Sequence, residues 1–167
     1  MSNPHTDDTS LGGLTAQSFA GSALFDRTFN EGMALVEEAA RYFEGRGRED
    51  TRALTGHAAL LYSGESLRVT TRLMQAASWL LVQRAVHEGD MPAEDATCER
   101  YRLGSKEICL GGRAQDSALL PKPLQSLLAR SHSLYRRVAH LENVLLCARK
   151  EPAVRAQFAR LEQAFRL

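Results

Sequence analysis

Few residues in this 167-residue chain are both reactive in type and spaced for chemistry. His132 and His140 lie eight apart in a helical pattern and can share a face, which is how a metal site could begin. No carboxylate completes a ligand set with them, and neither HExxH nor a repeated ExxH pair occurs, so no metal is expected. The run GESL, Gly64–Leu67, carries the serine of a nucleophile motif but lacks the second glycine and the preceding strand that would aim it. Tyr62, Ser66 and His57 form no triad. The three cysteines, Cys98, Cys109 and Cys147, are scattered and include no CxxC, which argues against a disulfide framework, a zinc site or a redox motif. Cys147, in VLLCARK, reads as a small buried apolar residue. Neither a GxxxxGK[ST] loop nor a strand–GxGxxG–helix unit is present. The expectation is a protein that is no enzyme, with no catalytic residues and no cofactor.

Recognition is better represented than catalysis. In ESLRVTTRLMQAASWLLVQRAVHEG, Glu65–Gly89, Arg68 and Arg72 lie four apart, with Glu65 three before Arg68. One reading is an exposed row of ion pairs, worth a few tenths of a kcal/mol each. The other is a partner-binding patch made of Tyr62, Glu65, Arg68, Arg72 and Trp79, because Arg and Trp are enriched where partners dock. Trp79 alone fits a core position more readily than an interface. A second candidate lies in the tail PAVRAQFARLEQAFRL. There Val154, Phe158, Leu161 and Phe165 form an apolar stripe among basic residues. Such a short stripe is marginal as a free helix and suits either docking on a partner or covering its own bundle.

The elements that position these residues are helices. Residues 1–18 are Ser-, Thr-, Asp- and Gly-rich and are expected to be disordered. Phe25, Phe29, Val36, Ala40 and Phe43 recur at helical spacing and predict a helix over 21–44, ended by Gly45 and Gly47. Gly32 within it suggests close approach of another helix. A second pattern covers 54–88 and is closed by Gly89 and Pro92; at this length it makes a rod of about 50 Å. Written by sevens, Leu60, Leu67, Met74 and Leu81 fall on one line, beside a line of small residues, Ser63, Thr70 and Ala77. Val69, Leu73, Ala76 and Leu80 widen the apolar surface beyond one stripe, so several neighbours must cover this helix. A short helix at 93–103 and a Gly- and Pro-bearing connector follow. A third long helix is predicted over 123–147, with Pro152 stopping it or opening a new turn. The fold class is all-α: an antiparallel three-helix bundle (19–148) with a short connector helix and a helical or disordered C-terminal tail (149–167).

Composition is ordinary for a globular chain, with 44% hydrophobic and 25% charged residues and a net charge of +1. That balance excludes a strong overall field toward nucleic acid or an anionic membrane. The charge is uneven, however. Residues 1–50 hold nine acids and four bases, whereas residues 130–167 hold eight bases and three acids. No apolar run is long enough to span a bilayer and the N-terminus is not a secretory signal, so a cytoplasmic protein without membrane insertion is expected. A small helical DNA-binding regulator is the competing function. The short helix at 93–103 with Arg100, Arg102 and Lys106 motivates it, but the long loop beside it and the few bases argue against a nucleic-acid partner.

Three stretches together are specific: EGMALVEEAARYFEGRGRED (Glu31–Asp50), LLYSGESLRVTTRLMQAASWLLVQRAVHEGDM (Leu60–Met91) and CERYRLGS (Cys98–Ser105). They resemble the RcdA family, regulators of CtrA degradation, closely over residues 24–105 and more loosely over Leu124–Cys147. The resemblance implies a homodimer of three-helix bundles acting as a non-enzymatic adaptor in regulated proteolysis. It implies association with the ClpXP protease primed by CpdR. It further implies help in delivering cell-cycle regulators, CtrA among them through the cyclic-di-GMP-binding PopA, and recruitment to the cell pole. It does not specify the cargo or the binding residues.

Overall fold

A computed structural model describes residues 21–112 and 114–164, with side-chain surroundings through residue 148. The segment 1–18 and the side chains of Val154, Phe158, Leu161 and Phe165 lie outside the described residues. The chain is all-helical: α1 (Ala23–Glu44), α2 (Arg46–Ala53), α3 (Gly56–Glu88), α4 (Lys106–Leu110) and α5 (Lys122–Ala164), with 3-10 turns at Asp95–Thr97, Glu99–Tyr101 and Ser117–Leu119.

Helix α1 begins where the Ser22 hydroxyl accepts the Phe25 amide at 3.2 Å, satisfying one of the amides a helix start leaves free. It buries Phe25, Thr28, Gly32, Leu35, Ala39 and Tyr42. A Cβ on Gly32 would meet Leu80 Cδ1 at 3.1 Å and Leu134 at 3.6 Å, so glycine there lets all three long helices converge. The polar segment at 46–53, between the helices expected over 21–44 and 54–88, forms a further helix, α2. The Tyr62 hydroxyl fastens it by donating to the Gly47 carbonyl at 3.2 Å, while Tyr42 donates to Asp50 at 2.9 Å. Gly47 leaves room for this, since a Cβ would lie 2.8 Å from both the Tyr42 carbonyl and the Tyr62 hydroxyl.

Helix α3 ends at Gly89, whose φ of 83° is the left-handed cap that glycine adopts without strain. Its inner face carries Val69, Leu73, Ala76 and Leu80 against α1 and α5. Helix α1 runs antiparallel to both long partners: Glu31 pairs with Arg137 and Glu38 with Arg130 on α5. Helices α3 and α5 point the same way, because Arg72 meets Leu128 while Trp79 and Gln83 meet Glu142 and Leu145. The connector 89–121 carries the chain back along the bundle to allow this.

The connector departs from the single helix expected at 93–103. Cys98, at φ −57° and ψ 147°, is extended and divides the stretch into two 3-10 turns. The Leu103 amide then donates to the buried Glu142 carboxylate at 2.7 Å, and Lys106 pairs with the same carboxylate at 3.1 Å. Helix α5 continues through Pro152, where the sequence suggests a stop or a new turn. The run AVRAQFARLEQA after Pro152 is rich in good helix formers, which favour continuing the helix beyond it.

Candidate partner-binding face

The partner-binding patch expected from Tyr62, Glu65, Arg68, Arg72 and Trp79 needs correction. Tyr62, Glu65, Arg72 and Trp79 are all buried within their own chain, at no more than 6% exposure; Arg68 remains partly exposed. Arg72 is neither an exposed ion pair nor a docking residue. Its guanidinium donates to the carbonyls of Cys109 (2.8 Å), Gly111 (3.2 Å) and Leu128 (3.2 Å), so one side chain ties the end of α4 to α5. Burial, and then the neighbouring Arg68, lower its pKa from the ordinary arginine value. Arg68 pairs with Glu65 at 3.3 Å and donates to the Gly112 carbonyl at 2.8 Å. These residues hold the connector in place. Helical periodicity cannot reveal this, because the covering carbonyls come from a segment about forty residues away whose path is not periodic.

The surface that remains is the opposite side of the same helix. Leu60, Leu67, Met74 and Leu81 are 74%, 67%, 64% and 52% exposed, the largest apolar side chains that α3 leaves in solvent. They follow the seven-residue line seen in the sequence and extend about 32 Å along the axis. Both flanks are small: Ser63, Thr70 and Ala77 on one, Gly64, Thr71 and Ser78 on the other. Gly64 has no packing reason within its own chain, since a Cβ there would meet nothing within 4 Å. A glycine inside a helix costs roughly 1 kcal/mol against alanine. Large residues in single file between two small rows form a ridge with a groove on each side, the shape that admits another helix at close range.

The face has a further property. Positions equidistant from the midpoint between Thr70 and Thr71 match in kind: Leu60 with Leu81, Ser63 with Ser78, Gly64 with Ala77, Leu67 with Met74, and Thr70 with Thr71. A helix face that reads the same in both directions is self-complementary under a two-fold rotation about that midpoint. The signal is present in the sequence and is found by testing the seven-residue line for palindromy as well as periodicity.

Catalytic and metal chemistry have no comparable geometry among the described residues. His57 lies 2.8 Å from Asp116 at the exposed start of α3, remote from Ser66, whose hydroxyl donates to the Tyr62 carbonyl. Among the described residues no group of three His, Cys, Asp or Glu is placed to hold a metal ion. No described helix is long and apolar enough to cross a membrane.

The described residues thus form an all-helical bundle that leaves an apolar ridge uncovered. The comparisons with known proteins identify its family. Residues 16–165 match the family described as protein of unknown function (DUF1465). The crystal structure of RcdA from Caulobacter crescentus CB15 is similar at 52% sequence identity and a TM-score of 0.63, covering 77% of this chain and 96% of that one. No curated protein matches. The chain belongs to the RcdA family.

Proposed function

We propose that this protein is a non-enzymatic adaptor in regulated proteolysis that works as a homodimer paired through α3. The observation that carries the self-association is the palindromic ridge Leu60–Leu67–Met74–Leu81, exposed on a helix whose other side is packed. In the pairing, α3 lies antiparallel to its copy, with Leu67 against Met74 of the second copy and the two-fold axis between Thr70 and Thr71. Burying such large apolar side chains is favourable by roughly 1.5–3 kcal/mol each when complete.

The adaptor role and its partners rest on membership of the RcdA family. On this reading the dimer associates with ClpXP primed by CpdR and helps deliver CtrA-type regulators with a PopA-type partner. It acts in the cytoplasm and is recruited to the cell pole. The test combines purified protein, ClpXP, CpdR, PopA with cyclic-di-GMP, and a fluorescent CtrA-type substrate. Substrate loss is expected to speed up several-fold when the protein is added, with no loss when the protease is omitted. No acceleration, together with steeply salt-dependent binding to duplex DNA, would reverse the reading in favour of a DNA-binding regulator.

A further inference from the structure

We propose that the outward face of α5 around Arg136 is a docking strip for an extended acidic peptide segment of a partner protein. The starting point is a missing charge. From Lys122 to Lys150 the sequence contains one carboxylate, Glu142, and it is buried facing Lys106 and the Leu103 amide. The exposed side of α5 over this stretch therefore has cations and no acid of its own.

The neighbouring arginines are accounted for. Arg130 pairs with Glu38 at 2.7 Å, and Arg137 grips Glu31 through two nitrogens at 2.6 and 3.0 Å. Arg136 is exposed, and among the described residues no carboxylate pairs with it. One turn to either side stand His132 and His140, and together with Ala129, Ser133 and Arg137 they line one shallow depression. Burial, then Arg72 and Arg136, lower the pKa of His132, as expected where positive charge meets no compensating acid.

The dimensions favour a peptide over a single anion. His132 and His140 are eight residues apart, about 12 Å along the helix. An extended chain rises about 3.3 Å per residue, so the strip matches about four residues. Arg136 offers a planar fork suited to a carboxylate, and Ser133 adds a hydroxyl donor beside it. Nucleic acid fits less well. One unpaired permanent cation gives a weak phosphate footprint, and the strip has no aromatic ring on which a base could stack. The strip lies on α5 and the palindromic ridge on α3, so either proposal can fail while the other stands.

The test measures fluorescence anisotropy of a labelled tetraglutamate peptide titrated with the full-length protein at low and physiological salt. Binding that weakens with salt is expected, with Arg136→Glu raising Kd at least tenfold. Lys122→Glu makes the same charge change at the start of α5 and should raise Kd less than twofold. Arg136→Gln, which keeps a neutral polar side chain, replaces Arg136→Glu if the latter fails to fold. Absence of binding overturns the proposal, as does an equal loss in the Arg136 and Lys122 variants. So does binding of free glutamate as tight as that of the peptide, or a single-stranded oligonucleotide of matched charge binding more tightly.

Discussion

The two sides of α3 are built from similar residues and meet different fates. Inside, Val69, Leu73, Ala76 and Leu80 are covered by α1 and α5. Outside, Leu60, Leu67, Met74 and Leu81 are comparably apolar and more than half exposed. The inner side is irregular, with large and small residues fitted to two particular neighbours, as at Gly32 under Leu80. The outer side is regular and palindromic, fitted to nothing in its own chain. The irregular side is matched to the different elements that cover it, whereas a regular, symmetric apolar line is what the proposed self-pairing requires.

The comparison can be broken first on the inner side. Leu80 is fully buried, so Leu80→Ala removes its contacts and leaves a cavity. The cost should be roughly 2–5 kcal/mol, read as a lower urea midpoint with an unchanged slope. On the outer side Leu67→Glu should shift the stability of the isolated bundle by no more than about 0.5 kcal/mol. It should nevertheless abolish self-association, because each carboxylate is brought against Met74 of the second copy; sedimentation across micromolar concentrations reads this. A large loss of monomer stability from Leu67→Glu would mean that the outer line is covered within its own chain.

Much of this architecture is legible in the sequence. Gly45, Gly89 and Pro92 mark the ends of the first two long helices, and the seven-residue line through Leu60 is visible from spacing alone. Other parts are not. Arg72 looks like a surface cation because its partners are backbone carbonyls of the connector, and carbonyls leave no trace in a sequence. Trp79 and Tyr62 share the helix with Arg68, and only the path of the connector and of α2 decides which of them is covered. Helix α2 is polar, with Gly45 before it and Gly47 in its first turn, so spacing alone does not mark it as a helix and Tyr62 is needed to fasten it. The parallel course of α3 and α5 likewise depends on the long return of the connector rather than on any local signal.

Cross-linking tests the antiparallel pairing most directly. In a background carrying Cys98→Ser and Cys147→Ser, a single cysteine is introduced at Thr70 or at Leu60. Cys109 stays in place, since it is buried and burial raises its pKa, which keeps the thiol unreactive. With the two-fold axis between Thr70 and Thr71, the two copies of Thr70 face each other, whereas the two copies of Leu60 lie about 32 Å apart. Mild oxidation should therefore link the Thr70→Cys protein into covalent dimers and leave the Leu60→Cys protein monomeric on a denaturing gel. Equal cross-linking at both positions would show a parallel pair, and cross-linking at neither would show that the palindromic face is not where two copies meet.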